Sequence, residues 1–166
     1  MQKLRQCLMT FKRDTVVYFL WFYGLCLAVQ LFGAQFSSMG MDGWYQNLDK
    51  SPLTPPGYVF GIAWTLLYFL MAWSATRIFH VCQSLYCRPL RWWMIQLILG
   101  LLWTIFFFGQ HNPLAGLVII SIMVVAVITT TVLFWRLDDV AMVMLLPLVG
   151  WLTLATHLNL YIYLHN

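Results

Sequence analysis

The sequence predicts an all-α integral membrane protein, a bundle of five transmembrane helices, and three observations carry that reading. Only 8% of the 166 residues are charged and 62% are hydrophobic, whereas a soluble domain carries about 25% charged residues. Five apolar runs, uncharged except for Arg77 near the end of the second, reach about the 20 residues that a helix needs to cross some 30 Å of hydrocarbon. None of them alternates polar and apolar residues as an outer-membrane barrel strand does. With 17% aromatic residues and a mean hydropathy of +0.79, the chain is also the reverse of a disordered composition.

Residues 1–14 form a short N-terminal segment, and residues 15–166 form the membrane domain. The first run, Thr15 to Ala34, follows Lys12, Arg13 and Asp14. It is longer than the apolar core of a secretory signal, and no small-x-small cleavage site leads into a soluble chain, so it is expected to stay as a span. Gln35 to Gly57 is a 23-residue connection, long enough to be either a stiff interfacial loop or a cover over a cavity. Its end, Ser51-Pro-Leu-Thr-Pro-Pro-Gly57, disfavours helix and starts the second run, Tyr58 to Phe79, sharply. The third run is Trp92 to Gln110, and the short Gln110-His-Asn-Pro113 turn folds it back on the fourth, Leu114 to Trp135. The fifth, Val140 to Leu164, contains Pro147, which lacks an amide donor and clashes with the carbonyl of Val143. A kink near Met144 to Gly150 is expected.

Placing successive loops on alternate sides puts Lys3, Arg5, Lys12, Arg13, Arg77, Arg88, Arg91 and Arg136 on one side and leaves only Lys50 on the other. That asymmetry predicts a cytoplasmic N-terminus. The net charge of +4 reads as this bias, with some affinity for anionic headgroups, and no basic stripe suits nucleic acid. Cys82 and Cys87, with His80 nearby, fit no standard zinc spacing, and no metal is expected. On the cytoplasmic side their thiols are expected to stay reduced.

The one charged residue within the apolar runs is Arg77, at the end of the second, and the lack of any deeper charge argues against an ion-driven transporter, a proton pump or a voltage sensor. Nor do the runs hold a Ser-His-Asp set, a carboxylate pair or a phosphate-cradling loop. What remains is aromatic. Trp64 and Tyr68 lie one helical turn apart, as do Trp103 and Phe107, and Trp151 lies one turn from Ala155. Such stripes serve packing or interfacial anchoring, and Trp92, Trp93 and Trp135 at span ends suit the second role. Deeper indoles at Trp64, Trp103 and Trp151 could wall a cavity for a flat apolar ligand with a few acceptors. On a helical wheel His157 falls about 160° from Ala155, pointing away from such a cavity, while Asn159 falls about 40° from it. Asn159 is therefore the polar group expected on the cavity face.

The run Trp44-Tyr-Gln-Asn-Leu-Asp-Lys-Ser-Pro-Leu-Thr-Pro-Pro-Gly-Tyr-Val-Phe-Gly-Ile-Ala-Trp64-Thr-Leu-Leu-Tyr68, then Leu102-Trp-Thr with Phe107-Phe-Gly, then Pro147-x-x-x-Trp151-x-x-x-Ala155-Thr-x-Leu-Asn159, resembles the TspO/translocator protein family. The resemblance spans residues 15 to 166. It implies a five-helix homodimer that binds porphyrins such as protoporphyrin IX, with no cofactor required, and synthetic isoquinoline carboxamide or benzodiazepine ligands. By resemblance the pocket residues are Trp44 and Tyr45 in the long loop, Trp64 and Tyr68 in the second helix, and Trp151 with Ala155 in the fifth. Gly100, Trp103, Thr104 and Asn159 complete the expected ligand-binding set. Two departures stand out. Gly100 occupies a position where the family usually has Asn, which removes an amide that could bond a ligand carbonyl. The C-terminal sterol consensus is broken as well, because Tyr161 and Tyr163 are followed only by His165 and Asn166, so strong cholesterol binding is not expected.

The leading functional expectation is a receptor or transporter for porphyrins and related hydrophobic molecules, in the cell membrane of a bacterium. One alternative is a light- and oxygen-dependent porphyrin-degrading enzyme in which Trp64 and Trp151 take part, the chemistry belonging to the porphyrin itself. Another is a regulatory membrane scaffold. A homodimer is expected from the resemblance, and Gly100 and Gly109 on the third helix are candidates for its close approach.

Overall fold

The computed structural model describes the backbone of residues 2–41 and 43–166 and the side chains of residues 14–41 and 43–166. The side chains of Lys3, Arg5, Cys7, Lys12 and Arg13 lie outside the described residues. Every regular element described is helical. In order they are α1 (Gln2–Met41), a 3₁₀ turn (Tyr45–Asn47), α2 (Gly57–Cys82), α3 (Arg88–Thr104) continued by a π turn (Ile105–Gly109), α4 (Pro113–Trp135), α5 (Asp139–Val143) and α6 (Leu146–His165). Five stretches are long and apolar enough to span a bilayer: Asp14–Met41, Gly57–Cys82, Arg88–Gly109, Pro113–Trp135 and Asp139–His165. The five-span, all-α expectation is borne out.

The composition dictates an inside-out pattern, and α4 displays it. Val118, Ile122, Val125 and Ile128 repeat at helical spacing and stay exposed, whereas Ile120, Met123, Val127, Thr130 and Phe134 are buried. Exposed apolar stripes of this length are stable only against lipid. Around the bundle α1 neighbours α2 and α3, α4 lies between α3 and α6, and α2 meets the fifth span through α5. The main apolar cluster includes Met71, Ala75, Trp93, Leu97, Val127 and Leu148, and a smaller one gathers Phe107, Phe108 and Ile162. Trp93 is fully buried, and its indole N–H donates to the carbonyl of Met71 at 3.1 Å. That bond fixes α3 against α2.

Except at Ser74, whose buried hydroxyl has no partner, helix hydroxyl groups cost little here because they are satisfied within their own helices. Thr76, Thr130, Thr131, Thr153 and Thr156 each donate to the carbonyl four residues back, at 2.8 or 2.9 Å. Among the described residues one ion pair forms, with Arg77 on α2 donating from Nε and Nη2 to Asp138 at 2.8 to 3.1 Å. Asp138 also caps α5, accepting from the amide of Ala141 at 2.8 Å. Burial alone would raise this carboxyl, but the Arg77 bonds, the Ala141 amide and the Arg77 charge hold it below the ordinary carboxylate value.

Three expectations change. The first helix runs on through Gln35-Phe-Ser-Ser-Met-Gly-Met41, a stretch with no proline to stop it, so the connection to α2 is shorter, residues 42–56. The kink at Pro147 is a full break. Pro147 sits in the first turn of α6, where a missing amide costs nothing, and Met144 and Leu145 separate the two helices. Thirdly, Gly100 and Gly109 are used inside the protomer. A Cβ at Gly100 would lie 3.3 Å from the Met123 terminal methyl, and one at Gly109 would lie 2.8 Å from the Phe36 ring.

Candidate functional site

A cavity of about 290 Å³ lies between α1, α2 and α3. The second helix contributes Phe60, Gly61, Trp64 and Tyr68, and the third contributes Gly100, Trp103 and Thr104, with Phe108 from the π turn. The wall on α1 is small or flexible: Val29, Gln30, Gly33, Ala34, Ser37 and Met41. Helical spacing explains it, since Val29, Gly33 and Ser37 fall on one face of α1. A Cβ at Gly33 would be 3.6 Å from Thr104, so the missing side chain leaves open the space that the cavity occupies.

Aromatic geometry sets the other walls. Trp64 and Tyr68 stack obliquely, with centroids 5.3 Å apart. Trp103 lies parallel to Phe107 at 5.3 Å and edge-on to Phe108 at 5.7 Å. The π turn produces this arrangement by closing Gln110 N–H onto Ile105 O at 2.9 Å. Its extra residue turns both Phe107 and Phe108 inward, and both are buried. Gly40 on α1 meets this turn, where an added Cβ would sit 2.6 Å from the Phe108 carbonyl oxygen. Polar groups are few. Gln30 donates to Thr65 at 3.4 Å and Thr104 donates to the Gly100 carbonyl at 3.0 Å, which leaves their remaining acceptor capacity, with Ser37 and the Tyr68 hydroxyl, to meet a ligand.

Of the residues expected from the sequence, Trp64, Tyr68, Gly100, Trp103 and Thr104 line this cavity, and Trp44, Tyr45, Trp151, Ala155 and Asn159 do not. Asn159 is 1% exposed. Its Oδ1 accepts from the Trp103 indole N–H at 3.0 Å, and its Nδ2 donates to the Pro113 carbonyl at 2.8 Å. It binds three helices together instead of facing a ligand. Trp151 lies against the Phe60 ring at 5.5 Å and reaches the cavity only through it. Ala155 belongs to the apolar core with Leu148 and Leu152. The break at Met144–Leu145 relieves the proline without opening space at these residues, so Trp64 and Trp151 do not form facing walls.

Trp44 does not roof the cavity either. It stacks on His111 at 4.7 Å and 15° and borders a second cavity, also about 290 Å³, with Tyr163 and Asn166. Tyr45 packs on Phe108 at 5.5 Å beneath the Lys50 ammonium, 5.1 Å from its ring, and burial raises its phenol above the ordinary value. The loop is further tied to α6 by Asn166, which bonds the Asp49 amide and carbonyl at 2.9 and 3.2 Å. His157 is exposed, with Nε2 3.3 Å from the Ser51 hydroxyl. As the wheel indicated, it points away from the cavity.

Sequence reasoning missed the α1 wall and Phe60, Gly61 and Phe108. The α1 signal was present as Val29, Gly33 and Ser37 at successive turns beside Gln30, a stripe too small to fill its own side of an interface.

The fold and the site together define a five-span helical membrane protein with an aromatic cavity between its first three spans. Residues 22–164 match the TspO/MBR family, and the chain belongs to that family. It is 38% identical to the tryptophan-rich protein TspO of Archaeoglobus fulgidus, over 84% of this chain and 91% of that protein. It is 33% identical to protein CrtK of Rhodobacter capsulatus, over 87% and 90% of the two chains. The translocator protein of Homo sapiens is 29% identical over 74% of this chain and 75% of its own length.

Proposed function

We propose that this integral membrane protein is a receptor or carrier for flat hydrophobic molecules of the porphyrin class, bound between α1, α2 and α3. The observation that carries the reading is a cavity whose long walls are Trp64, Tyr68 and Trp103 and whose polar groups are few and uncharged. Ring faces of this kind suit a macrocycle that is itself flat and aromatic. Small residues at Gly33, Ala34 and Gly61 give it room, and the volume falls near the lower end of small-molecule sites. No bound cofactor is needed for such a role.

The N-terminus is assigned to the cytoplasm of a bacterial cell, on the Lys/Arg asymmetry of the loops. Family resemblance supports a homodimer. The exposed apolar face of α1 carrying Val17, Leu20, Leu31 and Phe32 offers one surface for it. Quenching of tryptophan fluorescence by protoporphyrin IX, first in darkness and then under light, tests the function. Saturable quenching with a stable porphyrin spectrum supports the carrier. Progressive loss of the porphyrin absorbance in light would favour the degrading enzyme, and absence of quenching would leave the scaffold.

A further inference from the structure

One side chain in the cavity wall has more hydrogen-bonding capacity than the bundle uses. Gln30 lies inside the first span, Asp14–Met41, between Val29 and Leu31, and its carboxamide offers two N–H donors and an acceptor oxygen. Among the described residues that carboxamide makes one hydrogen bond, from Nε2 to the Thr65 hydroxyl at 3.4 Å, well beyond the usual N–H···O length of about 2.9 to 3.0 Å. Thr65 gives its own hydrogen to the Gly61 carbonyl at 2.8 Å, so it can only accept from Gln30. An amide bonded so loosely in hydrocarbon is costly unless something else satisfies it. Its place in the cavity says what could. A Cβ at Gly33 would lie 3.6 Å from Thr104, and α1 and α3, as first and third spans, cross in the same direction. One turn back from that contact, Gln30 comes about level with Gly100. Gly100 has no side chain to meet it, and Thr104 spends its hydroxyl hydrogen on the Gly100 carbonyl. The carboxamide thus borders open cavity beside Trp64, the neighbour of Thr65.

We propose that Gln30 is a polar anchor for an uncharged carbonyl on the bound ligand, whether ester, amide or protonated acid. This rests on the porphyrin-class reading of the cavity and narrows it. The second Gln30 N–H is a donor, and so is the Trp64 indole N–H in the same wall, which bonds no other described residue; the group they suit is an acceptor. Among the described residues lining the cavity there is no Lys, Arg or His, so a carboxylate would shed its water with no cation to replace it. A neutral carbonyl gives up less hydration and gains the unused N–H.

The test titrates the purified full-length protein in lipid nanodiscs, in darkness, with two porphyrins: protoporphyrin IX dimethyl ester, whose side chains carry ester carbonyls, and etioporphyrin I, whose side chains are alkyl only. Gln30→Met, close in length and shape, should bind the ester roughly fivefold more weakly than the parent and etioporphyrin as the parent does. Thr65→Val removes the partner within the bundle and leaves the amide, so it should bind the ester at least as tightly as the parent. Unchanged thermal midpoints should accompany both results. The anchor is overturned if Gln30→Met weakens both porphyrins alike or neither. It is overturned too if Thr65→Val loses ester affinity as Gln30→Met does, which would make the pair an interhelical bond only. Failure of the parent to bind either porphyrin is a different result, and it removes the porphyrin reading together with the anchor.

Discussion

Replacing Asn159 by Leu should destabilise the bundle more than any other single loss of a polar side chain, because it removes a link among α3, α4 and α6. Two hydrogen bonds go, to the Trp103 indole and to the Pro113 carbonyl. Interhelical bonds in membranes are worth about 0.6 to 1.7 kcal/mol each, and stranding a buried donor such as the indole N–H adds about 1 to 3 kcal/mol. With partial relief from lipid-like packing of the new Leu, the net cost is roughly 2 to 4 kcal/mol. The site is also tight, since a Cβ on Gly116 would meet Asn159 Oδ1 at 2.9 Å. At about 2 to 4 °C per kcal/mol for a chain of this size, the midpoint should fall by roughly 5 to 15 °C. Cys26 is fully buried and free, so a fluorogenic maleimide added after the exposed thiols are blocked reads its uncovering on heating. In a Trp103→Phe background the same substitution should cost about half as much, because the donor has already gone. A midpoint shift under about 2 °C in the single variant, or full additivity in the pair, would refute the clamp.

Other expectations follow from neighbouring contacts. Gly40→Ala should lower the thermal midpoint, because its Cβ would press on the Phe108 carbonyl, by the 1 to 3 kcal/mol typical of overpacking, or about 2 to 12 °C. Ala155→Phe should also act through overpacking, with a lowered midpoint preceding any change in ligand affinity, since Ala155 is core and not cavity. Asp138 is held below its ordinary carboxylate value, so the unfolded chain takes up the proton more readily. Its stabilisation is complete above about pH 4 and is lost as pH falls through the folded value. Asp138→Asn should remove that acid-dependent component from the midpoint measured against pH.

Composition and run length made the five spans legible, because lipid demands about 20 apolar residues whatever the sequence details. Helix ends were legible where proline set them, at Pro113 and before Gly57, and not where polar residues such as Gln35, Ser37 and Ser38 continue a helix at the membrane boundary. Half of the cavity could be read from aromatic spacing, as Trp64, Tyr68 and Trp103 show. The other half could not, because a wall made by Gly33, Ala34 and Ser37 announces itself by what is absent. Periodicity put Asn159 on the cavity face, but its partners are Trp103 and Pro113, 56 and 46 residues away, which hold it inside the bundle and away from the cavity. The π turn had no marker in its Ile-Phe-Phe-Phe-Gly sequence, and it decides where Phe107 and Phe108 point.

The central claim, that ligand sits between α1, α2 and α3, is tested most directly by Gly33→Leu. The new side chain would extend from an ordinary contact with Thr104 into the cavity, and Leu is a better helix former than Gly, so folding should not suffer. Titration of protoporphyrin IX in darkness should show affinity at least tenfold weaker than in the parent, with an unchanged thermal midpoint, while His157→Ala binds as the parent does. Unchanged affinity in folded Gly33→Leu, or an equal loss in His157→Ala, would contradict the account and place the ligand elsewhere in the bundle.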